Sequence, residues 1–475
     1  MMLGILVVNG IVITMSGKGL GIIENGAVGI KENKIEVIGY TNEVMRQYKA
    51  HRIIDATGKV VMPGLIDAHI HTGIGILRGL AQDISNWMQK GLWPFMKELK
   101  EEEIKKGSLV NIIEGVKAGT TTFCDFDFPM RELVKNHIKI GTRTRVAECI
   151  NELPENVSDL PVGEIYPFNP SIGQKKLNEN IKLIEEWHGK ENGRITCMLG
   201  PQGPDMLSKE LLLTIKDLAE KYDTKIHMHV SQGDREINQM IKRYGKRSIP
   251  YLDELNYLDE RLIAIHLTEA TREETQLIAK RGASMILCSG SIGIIDGIVP
   301  PMAEFLEISE KAGLGSDQAP GNNCNNMFNE MKFTAILNKC KAKNPEVFPA
   351  WSVLKLATIN AAKAIGLEDE IGSLEKGKKA DLIIIDLDKP NLCPVFTDPI
   401  RNIVPNLVYS AKGNEVETVI IDGKVIVDNG VLTTIDEKEA IKQANEAAKN
   451  LSIRAKSNII KSDITLLAAM EKGLL

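Results

Sequence analysis

Short apolar runs separated by turn residues open the chain. Ile5–Val8, Ile11–Thr14, Ala27–Ile30 and Ile35–Ile38 read as strands, and Asn9-Gly10 reads as the turn between the first two. From about residue 57 to 385 the pattern changes. Apolar strands alternate with long amphipathic segments, as in Glu101 to Ala118 followed by Gly119–Asp125. That alternation predicts a parallel α/β barrel. After Asp381–Asp386 the β pattern returns, with Val416–Gly423 and Lys424–Gly430. The expected fold class is therefore α/β: a TIM-like (β/α)8 barrel over 57–385, with a small composite β-sandwich built from 1–56 and 386–435. Residues 436–475, rich in Ala, Lys, Glu and Ile, are expected to be C-terminal helices.

One strand carries chemistry. The run from Val60 to Thr72 is apolar and ends on His69 and His71. Alternate strand residues face the same side, so both imidazoles leave one face together. A bare pair of this kind is weak. Here three further groups of candidates end later apolar runs: His227 and His229, then His266, then Asp317. Imidazoles with one carboxylate suit Zn(II) or Fe(II). Their places at strand ends suit the C-terminal face of a barrel. His51, His137 and His188 lack this context and are expected to be ordinary surface or loop residues.

Composition narrows the class. The 475 residues are 43% hydrophobic and 25% charged, with a net charge of −5. No basic surface argues for nucleic acid. Seven scattered cysteines form no CxxC and read as reduced cytosolic thiols. The N-terminus lacks the basic start of a signal peptide, and no run approaches a membrane span. A cytoplasmic enzyme with no nucleic-acid or membrane partner is the expectation.

With these residues in place, the chain resembles the amidohydrolase superfamily. The resemblance is closest to the branch of methylthioadenosine/S-adenosylhomocysteine deaminases, guanine deaminases and triazine hydrolases. It rests on Val61–His71, Leu77-Arg-Gly79, Trp93-Pro94, Ala118–Thr122, Leu199-Gly-Pro201, Gly315-Ser-Asp317, Ala357–Ala362 and Ile371–Asp381. It implies metal ligation by His69, His71, His229 and Asp317. His266 falls where the family orients the attacking water or polarises the substrate. Binuclear relatives need a bridging lysine, and Ile195–Gly200 has none; one divalent ion is implied. The implied reaction is attack by metal-activated water at an sp² carbon of a small nitrogen heterocycle or cyclic amidine, releasing ammonia or an amine. Asp317 would also be the base. A homo-oligomer is expected.

Three departures qualify the resemblance. Deaminases of this branch carry a glutamate three residues after the strand-five histidine; here that residue is Gln232, which cannot titrate. General acid–base help is typically worth ~10²–10⁴ in rate. The proton could travel through Asp317 and His266, or Asp234 or Glu236 could take the role. The leaving group could need little protonation, as in triazine dehalogenation, or the site could be weakly active or non-catalytic. Gln232 would then position substrate. Secondly, Met96 stands where nucleoside-processing relatives place a ribose-binding glutamate; a loop shift could bring Glu98 there instead. Thirdly, Cys288–Gly293 replaces the usual Cys-Pro-x-Ser-Asn, which implies a different pocket wall or merely a looser turn. Weaker candidates are Arg78 for an anionic or carbonyl group, Trp87, Trp93 and Phe95 as walls for a flat ring, and the Asn322–Asn326 loop as substrate contacts.

Overall fold

The computed structural model describes residues 1–83, 87–157, 160–161, 163–461 and 473. Parallel strands follow one another along the middle of the chain. They are Leu65–His71, Thr120–Asp127, Arg143–Ile150, Ile195–Cys197 with Gly200–Pro201, Ile226–Val230, Leu262–His266, Ser284–Leu287, and Ala312–Leu314 with Asp317–Gln318. Nearly all their residues are buried. That is expected of parallel strands covered on both faces, and it explains why they read as unbroken apolar runs. The strands pair along two arcs, one six-stranded and one four-stranded. An isolated parallel bridge, Leu199 to Ile226, joins the arcs on one side. The expected barrel is thus present as an α/β arrangement whose hydrogen-bonded ladder is not continuous. The last strand is the cause of one break. It stops at Leu314 and resumes against Ile70 at Asp317, whose backbone is left-handed (φ 60°).

Strands from both ends of the chain share one nine-stranded sheet. Its central seam is Leu382–Asp386 running antiparallel to Lys59–Pro63. Among the described residues the strands of the two ends are joined in one hydrogen-bonded sheet, where the sequence pattern predicts a composite sandwich. The expected turn at Asn9-Gly10 is absent. Met2–Ile13 is a single strand with a bulge there, Asn9 being left-handed (φ 63°). The bulge lets the strand pair with Lys49–Asp55 before it and Lys59–Pro63 after it. Gly10 is needed because a Cβ would lie 2.7 Å from Val61 Cγ2. Buried Arg143 joins sheet and strands: its Nε is 2.6 Å from Asp381 Oδ2 and Nη2 is 3.3 Å from Asp422 Oδ1.

Glu101–Lys117 is a helix, as its periodicity predicts. The C-terminal helix Glu437–Lys461 packs Leu451 and Ala455 against Leu77, Leu92 and Phe95. It therefore braces the segment that follows the first parallel strand. The rest of the expected C-terminal helical region, 462–472 and 474–475, lies outside the described residues. Among the described residues no helix is long and apolar enough to cross a membrane. All seven cysteines are unpaired.

Candidate metal centre and active site

His69, His71, His229, His266 and Asp317 converge at the ends of four of these parallel strands. His69 Nε2 and His71 Nε2 lie 3.5 and 3.4 Å from Asp317 Oδ1. His229 Nε2 lies 3.4 Å from His71 Nε2. With metal–ligand bonds of about 2.0–2.1 Å, tetrahedral ligands sit roughly 3.3–3.4 Å apart. The observed separations match a cluster arranged around one ion. The donor atoms of His69, His229 and His266, and of His69, His71 and Asp317, all fall within 4.8 Å of one another. His69 Nε2 and both ring nitrogens of His266 are buried without a hydrogen-bond partner among the described residues. Buried polar groups are rarely left so, and a cation would satisfy them. These residues fit a divalent metal.

Local backbone holds the cluster in place. His266 and Asp317 are left-handed (φ 75° and 60°), a conformation uncommon outside glycine. Gly315 lets the last strand pass close to His69: a Cβ there would lie 2.7 Å from His69 Cβ. Buried Asp67 accepts from Ser316 N at 2.9 Å and from the Ser316 hydroxyl, which ties the first strand to the last.

Outer partners fix which nitrogen faces the centre. His229 Nδ1 is 2.7 Å from the Gln202 carbonyl, so it donates there and leaves Nε2 as a lone pair. His69 Nδ1 is 2.7 Å from His227 Nε2. The Ser291 hydroxyl donates to Asp317 Oδ2. Burial, with the neighbouring imidazoles, pushes His71 down to about 4 and His266 down to about 3. His227 and His229 are also held well below the usual range, first by burial. Burial alone would raise the Asp317 carboxyl, but the surrounding imidazoles of His69, His266 and His71 hold it well below the usual carboxylate range. Near pH 7 His71, His229 and His266 are therefore neutral and Asp317 is ionised, the forms that bind cations.

The cavity over this cluster is bounded by His71, His229, Asp317, Trp93, Met96 and Gln232. Trp87 joins them, whereas Phe95 is buried in the packing under the C-terminal helix. Arg78 is not brought to the cavity. Its guanidinium pairs with Glu114, Asn111 Oδ1 (2.9 Å) and the Asn323 carbonyl (2.6 Å). Glu98 is not brought there either; it accepts from Asn458 Nδ2 at 2.9 Å. Glu236 is committed elsewhere, accepting from Ser231 N, Gln232 N and the Ser248 hydroxyl. Asn322 and Asn325 brace the Asp317 loop through Ser316, Glu330 and the Asp317 carbonyl.

Two expectations need correction. The glycines of Cys288–Gly293 do not make a looser turn. Ser289–Ile295 is a short helix, clamped where Gly290 N donates to Glu330 Oε2 at 3.1 Å and the Ser289 and Thr334 hydroxyls meet at 2.7 Å. His137 is not a surface residue. It is fully buried between Asp125 Oδ2 (3.2 Å) and Thr142 Oγ1 (2.8 Å). Asp125 in turn accepts from Thr72, the neighbour of His71. His51 and His188 are exposed, as expected. Sequence reasoning missed Ser291, Gln202 and His227 as orienting groups. Of these only His227 carried a signal, its place two residues before His229.

Strand-end imidazoles around one buried carboxylate define a metal-dependent hydrolase built on a TIM-barrel α/β fold. Comparison with known proteins carries the assignment further. The amidohydrolase family matches residues 60–426. The chain belongs to the amidohydrolase family. It is 35% identical to a 5'-deoxyadenosine deaminase of Methanosarcina acetivorans, over 96% of this chain and 100% of that one. It is also 35% identical to a 5-methylthioadenosine/S-adenosylhomocysteine deaminase of Thermoanaerobacter pseudethanolicus, over 90% and 95%. A zinc-bound adenosine deaminase of Xanthomonas campestris superposes with TM-score 0.86 at 25% identity, covering 95% of this chain and 99% of that one. Zinc-bound atrazine chlorohydrolase of Arthrobacter aurescens shares the fold, with TM-score 0.82 at 20% identity over 94% and 100%.

Proposed function

We propose that this amidohydrolase acts on a small nitrogen heterocycle or cyclic amidine, replacing an amino group on an sp² carbon with oxygen from water and releasing ammonia or an amine. The class, a hydrolase of carbon–nitrogen bonds other than peptide bonds, follows from the family. The observation that carries the reading is the convergence of the donor atoms of His69, His71, His229 and Asp317 at the base of one cavity, with the His266 nitrogens beside them and without a hydrogen-bond partner among the described residues. We propose these four as ligands of one Zn(II) or Fe(II). Such an ion supplies Lewis acidity, which brings the pKa of water toward neutrality.

The protein's own groups do the rest. Asp317, ionised and braced by Ser291, accepts a proton from the attacking water. His266, neutral and buried, orients the water or polarises the substrate. Gln232 offers an amide to the ring and cannot carry a proton, so the leaving amine is protonated by way of Asp317 and His266. Trp93 and Met96 wall the ring. The same Gln232 favours one second reading: a leaving group that needs no proton, such as a halide on a triazine.

We also propose the division into 1–56 with 386–435, a barrel over 57–385, and a C-terminal region over 436–475. The nine-stranded sheet that both ends of the chain share supports it, with Lys59–Pro63 and Leu382–Asp386, at the two ends of the 57–385 span, joining that sheet to the barrel. A cytoplasmic homo-oligomer completes the proposal.

The test is ammonia and chloride release by metal-loaded protein from amino- and chloro-substituted purines, pterins and triazines. Adenine nucleosides head the panel because relatives are named for them. Ammonia release that disappears in Asp317→Asn with metal retained is the expected result. Chloride release alone favours the second reading, and no release across the panel sinks both.

A further inference from the structure

A second chamber adjoins the candidate active site. The inner cavity, against His71, His229 and Asp317, has a volume of about 110 Å³. The outer chamber has about 490 Å³, and Trp87, Trp93 and Gln232 belong to the walls of both. Small-molecule clefts typically measure about 300–1,000 Å³. The inner cavity has room for the reacting ring at most. A group attached to that ring can pass Trp87 and Trp93 into the outer chamber; a further chamber of about 450 Å³ beyond Met96 and Phe128 carries both signs of charge, from Glu148, Glu155, Lys175 and Lys176.

The outer chamber has a charge preference. Asp234, Glu269 and Asp296 line it, and none has an ion-pair partner among the described residues. The cation on this wall, Arg235, is already paired with Asp205 at 2.5 Å and lies over the Tyr166 ring. Asp296 is the informative member. It belongs to the altered strand-seven loop and sits beside the residue after Gln232, with Oδ1 3.8 Å from where a Cβ on Gly233 would be. Its Oδ2 is shut off from solvent and has no hydrogen-bond partner among the described residues. Burial pushes its carboxyl up to about 7, and the negative charges of Asp317, Glu269 and Asp234 add to this against Arg235. A half-buried carboxyl among like charges is pushed toward its neutral form, and a cation placed beside it would restore the charge.

We propose that the outer chamber is the subsite for the substituent on the substrate ring, and that Asp296 selects a substituent bearing a protonated amine. An anionic substituent would meet the carboxyl groups of Asp234, Glu269 and Asp296 there. The inference rests on the hydrolase reading above, and its test separates the two.

Calorimetric titration of the metal-loaded protein with three probes reads it out: 5'-amino-5'-deoxyadenosine, 5'-deoxyadenosine and adenosine-5'-carboxylic acid. They share ring and sugar, so any penalty from Met96 cancels in their ratios. Ammonia release is followed alongside. The amine should bind about tenfold more tightly than the methyl compound, and the carboxylate most weakly. Asp296→Asn should bring the amine-to-methyl ratio to within about twofold of one, and Asp296→Glu should keep the preference. If Asp296→Asn does not fold, the native series and Asp296→Glu decide. Equal binding of all three probes, or a preference that survives Asp296→Asn, overturns the inference. Ammonia release without preference leaves the hydrolase reading standing and removes the subsite. Preference without ammonia release does the reverse. No binding by any probe overturns the inference together with the nucleoside form of the reading.

Discussion

Replacing His227 with phenylalanine tests how the histidine cluster is prepared for an ion. His227 is fully buried, and its Nε2 lies 2.7 Å from His69 Nδ1. The two nitrogens share one proton. His69 can present an Nε2 lone pair to a cation only when its proton sits on Nδ1 and is donated to His227. In the other tautomer His69 carries a proton on Nε2, 3.5 Å from Asp317 Oδ1, and the site is closed to the ion. Phenylalanine removes the acceptor that favours the open tautomer. Loss of an outer partner of this kind typically lowers metal affinity ~10–100-fold, about 1.4–2.7 kcal/mol. The fold should tolerate the change. The ring at 227 already stacks on Phe126 and His69, with centroids 5.5 and 5.0 Å apart, and its Nδ1 has no partner to lose among the described residues. The assay is competition with a chromophoric chelator, plus melting of the metal-free protein. Affinity should fall within that range while the metal-free melting temperature holds or rises. Native-like affinity in a folded His227→Phe variant would refute the tautomer argument.

Four further outcomes are expected. Elemental analysis should find one ion per chain, because the clustered donors surround one centre and include no lysine; two ions per chain in the cavity would overturn this. Adenosine, methylthioadenosine and S-adenosylhomocysteine should be poor substrates, because Met96 offers a diol no acceptor; kcat/KM of ~10⁴ M⁻¹s⁻¹ or more for any of them would count against it. Gln232→Glu should leave ammonia release similar or faster, since it adds a proton carrier; a clear fall would mean that the amide donor itself is required. Burial pushes Glu330 up to about 8, so its contribution to folding is complete below the ordinary carboxylate range and is lost as pH rises toward 8. Glu330→Gln should therefore melt progressively higher than the parent, metal-free, as pH rises through that window, and a difference that is flat with pH would show Glu330 to be ionised throughout.

The site was legible in sequence where its residues sit at the ends of apolar strands. His69 and His71 share a face by strand periodicity, and His229, His266 and Asp317 each close a run of buried residues. The orienting groups were not legible. Gln202 reaches His229 with a backbone carbonyl, which any side chain would supply. Ser291 reaches Asp317 only because a neighbouring helix clamps its loop through Glu330. His137 looked ordinary because nothing local marks a helical histidine as buried; Asp125 and Thr142 meet it through tertiary packing. Asn9-Gly10 failed for a different reason. The same left-handed preference that makes a hairpin turn also makes a bulge, and the choice is set by strands that arrive later in the chain.

The departures at Gln232 and in the strand-seven loop meet at Asp317. Its Oδ1 faces the imidazoles of His69 and His71, and its Oδ2 holds the Ser291 hydroxyl. A hydroxyl can donate or accept. When Asp317 gains a proton, Ser291 can turn from donor to acceptor, so the carboxyl stays hydrogen-bonded in both protonation states. That is what a group must do if it takes and returns the proton. A titrating residue at 232 would share that work, and Gln232 cannot. Glu236 cannot replace it, because both of its oxygens are occupied by Ser231, Gln232 and Ser248. In the proposed reaction the proton traffic therefore runs through Asp317, with His266 beside it, and Asp317 rather than residue 232 is where that reaction is most easily broken.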